Sequence, residues 1–178
     1  MRGLAMTTII TLRTKDGLVM AADSQITDGT GRITSTKKIT QNGAFLISGA
    51  GDCLPLDIAQ HLWRTPTPKG VEWDDLLHFM VKKVIPSLRI AMTAGGYKKD
   101  EDDKDSGFTI VFAIAGQAFV ADDDYSVSTA DILGAGSGSA YGIGAISGGA
   151  TIEKAMSVAA LHDTYTSGPF IFVHQQKH

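Results

Sequence analysis

The chain has 178 residues, 43% of them apolar and 20% charged, with a net charge of −3. One domain of this length buries enough surface to need no disulfide or metal staple, and the lone cysteine, Cys53, excludes an intrachain disulfide and fits a reducing compartment. The charge offers no basic field to nucleic acid, no apolar run reaches the ~18 residues of a membrane span, and the segment before Thr7 is too short for a signal-peptide core; a soluble, cytoplasmic protein without nucleic-acid or membrane partners is expected.

Thr7 and Thr8 open the first strand-like run, in which Thr8, Ile10 and Leu12 alternate with Ile9, Thr11 and Arg13. Asp16-Gly17 is a hairpin signal, and the unbroken apolar run Leu18 to Ala22 reads as a strand covered on both faces. Residues 24–38, rich in Thr, Ser and Gly, read as a loop or short hairpin. Strands are expected at Ile39 and at Ala44 to Ser48, parted by Asn42-Gly43. Helical spacing then takes over at Leu54 to Trp63. After a Pro-rich break it returns at Val71 to Met92, where Leu76, Leu77, Met80, Val81, Val84, Ile85 and Leu88 are placed near one face. Pro86 predicts a kink or break there.

Residues 95–107 form a polar, charge-dense stretch read as a solvated loop; it lacks the sixth-position glycine and twelfth-position glutamate that an EF-hand calcium loop requires. Phe108 to Ala115 and Ala118 to Val120 predict a hairpin turning at Gly116-Gln117, and Ile132-Leu133 a short strand. Helices are expected at Ser139 to Ile146 and Thr151 to Leu161, split by Gly148-Gly149, and a last strand at Phe170 to His174. Strands in runs and helices in pairs imply an α+β fold with helices layered on antiparallel sheets. The glycine-rich run Gly134 to Ser139 has Ser139 in place of the third glycine of a dinucleotide loop, and the five histidines show no paired ligand spacing, so no cofactor or metal is expected.

Thr7 carries a further possibility. If residues 1–6 were removed, it would hold a hydroxyl nucleophile and a free amine on one residue, one of the few ways to activate a hydroxyl without histidine. Asp23 lies sixteen residues on, and Lys37-Lys38 follow.

Four segments in order resemble the proteasome β-type peptidases, including the bacterial HslV ring, within the N-terminal-nucleophile hydrolases. They are Thr7-Thr8-Ile9-Ile10 with Asp23; Lys37-Lys38-Ile39; Ile47-Ser48-Gly49-Ala50-Gly51-Asp52; and Gly134-Ala135-Gly136-Ser137-Gly138-Ser139 followed by Asp163 and Thr166-Ser167-Gly168. The second and third segments each sit one residue short of the family spacing. The resemblance spans nearly the whole chain from residue 7 and implies a four-layer αββα sandwich, with two antiparallel sheets flanked by helices. It implies that Thr7 is the nucleophile, that its own amine or Lys38 is the base, and that Asp23 orients Lys38. Lys37 is read as a solvated neighbour. The Gly49 N–H would meet the oxyanion, and Ser137, Asp163 and either Thr166 or Ser167 would hold the Thr7 amine.

Residues 1–6 are then a propeptide, or the true start is Met6, and residues 7–178 are the hydrolase domain. The function implied is a threonine-type endopeptidase subunit of a self-compartmentalised ring of identical subunits that degrades unfolded polypeptides. Any ATP-driven unfoldase would be a separate partner, because this chain has no phosphate-binding Gly-x-x-x-x-Gly-Lys-Ser/Thr. The alternatives are an amidohydrolase of the same superfamily acting on a small amide, and an inactive scaffold subunit.

Overall fold

The computed structural model describes residues 4–5, 7–28, 31–34, 37–99 and 107–178. The chain begins with β1 (Leu4–Ala5), β2 (Ile9–Thr14) and β3 (Gly17–Ala22), followed by the ribbon β4 (Gln25–Asp28) and β5 (Gly31–Thr34) and by β6 (Thr40–Asn42) and β7 (Phe45–Asp52). Helix α1 (Cys53–Asp57) runs into a π turn at Ile58–Leu62. After a short 3₁₀ turn come α2 (Leu76–Phe79), a second π turn (Met80–Val84) and α3 (Ile85–Ala94). The chain closes with β8 (Phe108–Ile114), β9 (Gln117–Asp122), β10 (Val127–Thr129), β11 (Ile132–Ala135), α4 (Ser139–Ser147), α5 (Ile152–His162) and β12 (Ile171–Gln176).

The strands build a six-stranded sheet ordered β1-β7-β8-β9-β10, with β6 also on β7, and a four-stranded sheet ordered β11-β2-β3-β12. All their pairings are antiparallel. The period of two along each strand then sorts the core into three levels. Phe45, Ile47, Ile110, Phe112 and Phe119 face the helices between 53 and 94. Leu46, Val111, Ala113 and Val120 meet Ile9, Leu18, Met20 and Ala22 between the sheets. Ile10, Val19 and Ala21 meet Ile152, Ala155 and Met156 of α5. This is the expected αββα sandwich, and β3 is buried along its whole length because it is covered on both faces. No helix among the described residues is long and apolar enough to cross a membrane.

Local expectations shift in places. The first hairpin turns at Lys15-Asp16, since Thr14 pairs with Gly17. The β8–β9 turn is Ala115-Gly116, both with positive φ (51° and 75°), as a two-residue hairpin loop demands. The stretch 24–38 contains the β4–β5 ribbon, and β10 is a strand that the sequence pattern does not announce. The loop expected at 95–107 falls mostly on 100–106, outside the described residues.

Leu77 and Val81 do not join the buried helical stripe; they are 42% and 55% exposed. The stripe is instead Leu76, Met80, Val84, Leu88 and Met92, all buried. A spacing of four drifts about 40° per step on an α-helix. The wider π turn between Met80 and Val84 takes up that drift and keeps the stripe facing β7 and β8. It also sits directly before Pro86, which lacks an N–H to give, so where a kink or break was expected the winding changes and the helix continues.

Phe112 is fully buried and meets Phe45 and Trp63 edge-on. Phe112→Ala should lower unfolding free energy by about 3–5 kcal/mol, read by urea denaturation.

Candidate active site

Thr7 lies just before β2 and is 1% exposed. Its Oγ1 accepts a hydrogen bond from Lys38 Nζ at 3.0 Å. The same Nζ donates to Asp23 Oδ1 at 2.8 Å and to the Gln25 carbonyl at 2.5 Å. An ammonium has three N–H groups, and these acceptors use all of them.

Asp23 is fully buried at the end of β3, where the apolar run stops. Its N–H donates to Thr8 O at 3.1 Å, extending the β2–β3 ladder by one step. Its carboxylate receives three donors: the Thr8 N–H and Lys38 Nζ on Oδ1, and the Gln25 N–H on Oδ2. Lys38 sits in an irregular stretch before β6. Ile39 drops into the core between the sheets, and Lys38 turns the other way, toward Thr7. Lys37 is exposed. Burial holds the Lys38 ammonium below the ordinary lysine range, against the pull of Asp23.

A second network involves Ser137, Asp163 and Thr166. Ser137 Oγ and Thr166 Oγ1 both donate to Asp163 Oδ2, at 2.8 and 2.5 Å. Thr166 and Thr8 share a hydrogen bond of 2.5 Å. Thr166 has already given its proton to the carboxylate, so Thr8 must be the donor. These hydrogen bonds therefore end on the hydroxyl of Thr8, where the Thr7 nitrogen was expected. Of the alternatives Thr166 and Ser167, it is the Thr166 hydroxyl that meets Asp163, while Ser167 receives the Ser24 N–H on its backbone carbonyl.

The Gly136-Ser137-Gly138 run owes its glycines to close approach. Gly136 has φ 86°, and a Cβ there would run into the Thr7 carbonyl; a Cβ on Gly138 would collide with Thr8 Oγ1.

A cavity of about 210 Å³ opens beside Thr7 and Lys38, lined by Gly49 of β7 and by Cys53, Asp57 and Gln60 of the first helical segment. Burial, then Asp57 and Asp52, push the Cys53 thiol up against the opposing pull of Lys38 and disfavour its thiolate. The arrangement thus joins a hydroxyl, a cation of lowered basicity and a buried carboxylate at the wall of a cavity. Sequence reasoning missed Thr8 and the Gln25 carbonyl. Thr8 carries only the signal of adjacency to Thr7, and a backbone acceptor carries none.

No family model matches the chain, and no curated protein matches it by sequence. Solved structures do match. The Thiobacillus denitrificans BPH superposes with a TM-score of 0.74 at 16% identity, over 96% of this chain and 98% of that one. The same protein in complex with epoxomicin gives 0.74 and 16%, over 96% and 99%. The eukaryotic HslV from Trypanosoma brucei gives 0.63 at 19% identity, over 95% and 99%. The Anbu (Gly-1) mutant from Hyphomicrobium sp. strain MC1 gives 0.64 at 16% identity, over 96% and 82%. The fold is therefore that of the proteasome β-type and HslV-like proteins.

The lowered proton affinity of Lys38 has a thermodynamic signature. The folded chain binds fewer protons than the unfolded chain between the lowered value and about 10.4, so stability rises with pH across that window. Lys38→Met should lack this slope. It should also be less stable by about 3–5 kcal/mol near neutral pH, because Asp23 is left buried without its cation. Denaturation of both proteins across alkaline pH reads both effects.

Proposed function

We propose that this chain is a threonine-type endopeptidase subunit whose nucleophile is Thr7. The observation that carries the proposal is the 3.0 Å contact from Lys38 Nζ to Thr7 Oγ1, backed by buried Asp23, at the head of an inner strand. The fold shared with HslV, and with a protein that binds epoxomicin, supports the same reading.

In this mechanism residues 1–6 are first lost, leaving Thr7 with a free amine. Thr7 Oγ attacks the scissile carbonyl, and its proton passes to that amine or to Lys38. A charged Lys38 would instead assist by donating to the developing alkoxide. The carbonyl oxygen becomes an oxyanion, met by backbone N–H at Gly49, which lines the cavity with Thr7. The C–N bond breaks, the leaving amine takes the proton, and an ester to Thr7 remains. Water then attacks the ester, restores the hydroxyl and releases the acid.

A peptide suits the surroundings of Thr7. On one edge of β7, β6 pairs with Phe45 to Ile47 and β1 with Gly51 and Asp52, which leaves Ser48 to Ala50 between them. An extended substrate can add there as a strand. Leu4–Ala5, just upstream of Thr7, already pairs with this edge. A second cavity, of about 320 Å³, lies over the end of β7 and its neighbours β8 and β9, beside Ala50, Gly51, Thr109, Asp122 and Gly136.

The chain is proposed to work in the cytoplasm as a homo-oligomeric ring on unfolded polypeptides, with any ATP-dependent unfoldase a separate protein. Size-exclusion chromatography beside peptide and small-amide assays separates this from the amidohydrolase and scaffold readings.

Two outcomes are expected. Thr7→Ala should abolish peptide cleavage and epoxomicin binding while thermal stability stays nearly unchanged; retained turnover removes the mechanism. A form starting at Thr7 should exceed one with an intact, mass-verified terminus by at least the ~10²–10⁴-fold that a general base contributes. Equal turnover would sink the N-terminal-nucleophile reading.

A further inference from the structure

The position of Lys38 Nζ depends on a backbone stretch, 37–39, that belongs to no strand or helix. What holds it is the Lys38 carbonyl. That oxygen accepts two side-chain hydrogen bonds, from Ser48 Oγ of β7 at 2.9 Å and from Gln60 Nε2 at 2.9 Å. Gln60 Nε2 also donates to the Ile47 carbonyl at 3.0 Å. Both partners are carbonyls, so the amide nitrogen must face them and both its protons are used. One side chain therefore ties the lysine backbone to the rigid strand β7.

Gln60 stands in the π turn Ile58–Leu62, and such turns recur at functional sites. The Trp63 N–H closes it on the Ile58 carbonyl at 2.8 Å. Asn42 at the end of β6 pins it from outside, donating to the Ala59 and Trp63 carbonyls at 3.0 and 2.8 Å. The extra residue in the turn sets the direction in which Gln60 leaves the helix. A continuous line of contacts thus runs from Asn42 through the π turn and Gln60 to Lys38 and Thr7.

We propose that Gln60, assisted by Ser48, is a positioning residue for Lys38: it fixes the backbone from which the ammonium reaches the Thr7 hydroxyl. The inference rests on the proposed peptidase reading for its kinetic consequence, but not for its effect on Lys38 itself. A misplacement of about 1 Å costs a catalytic group about a hundredfold. Gln60→Leu in the form starting at Thr7 should therefore lower kcat about ten- to a hundredfold, with KM within about threefold. Lys38, freed toward water, should titrate closer to the ordinary lysine value of about 10.4. Asp23 touches Lys38, and Lys37, Cys53, Asp57 and His61 line the same cavity, so Lys38 must be followed individually.

The experiment measures kcat, KM, melting temperature and the reactivity of the Lys38 amine across pH, by competitive acetylation read peptide by peptide. Wild type, Gln60→Leu, Ser48→Ala and the double variant are compared. The two single variants weaken the same carbonyl anchor, so their effects should combine non-additively. A shifted Lys38 titration with lowered kcat and steady KM supports the proposal. An unshifted Lys38 titration overturns it, as does a loss confined to KM, which would make Gln60 a wall of the substrate cavity. If Gln60→Leu does not fold, the Ser48→Ala titration decides. If wild type has no peptidase activity, the function fails, and the Lys38 titration still tests the positioning.

Discussion

The buried carboxylate of Asp23 organises the site. A charge at 0% exposure is tolerable only when paired and hydrogen-bonded. Asp23 meets that demand with three donors drawn from three places: the Thr8 N–H just before β2, the Gln25 N–H at the start of β4, and Lys38 from the approach to β6. Satisfying one carboxylate therefore fixes where β2 begins, how the chain leaves β3, and where the lysine head group points. Lys38 then has one N–H left beyond Asp23 and the Gln25 carbonyl, and it lies on the Thr7 hydroxyl.

The same geometry sets a balance within Lys38. Burial favours the neutral amine, which could accept a proton; Asp23 favours the ammonium, which could only donate. Neither influence acts alone, because the cation and its partner share one buried environment. The lysine is thus less basic than a free one while remaining held in a charge-assisted contact. Its backbone is held separately, through the carbonyl gripped by Ser48 and Gln60. Head group and backbone are thus anchored by different parts of the fold.

Much of this was legible in the sequence, and the reason is local. The unbroken apolar run Leu18 to Ala22 states its burial on both faces, and strands in runs with helices in pairs give helices layered on antiparallel sheets; the four-layer order came with the family resemblance. The interval from Thr7 to Asp23 spans a single hairpin, whose length fixes which residues end side by side. The illegible parts are non-local or lie in the backbone. The stripe at 76, 80, 84, 88 and 92 needs the π turn to be coherent, and no residue type encodes that turn. Leu77 and Val81 have the same chemistry as their buried neighbours, so only the winding of the helix separates them. Thr8 joins Thr166 across 158 positions of sequence, a meeting that only the packed sheets decide.

The connection at Thr8 bears on the proposed mechanism. With Met6 still attached, the Thr7 nitrogen is an amide without a basic lone pair, yet Lys38, Asp23 and the Asp163–Thr166 pair are already in place around the two threonines. The hydroxyl of Thr8 is held by that pair, and the carbonyl of Thr7 is wedged against Gly136. Both residues are thus anchored on their downstream side. Removal of the upstream segment would free the Thr7 nitrogen and the edge of β7 that Leu4–Ala5 occupies. In the proposed mechanism one cleavage therefore has two consequences: it creates the amine and clears the strand edge for substrate. Neither requires the anchored hydroxyl to move.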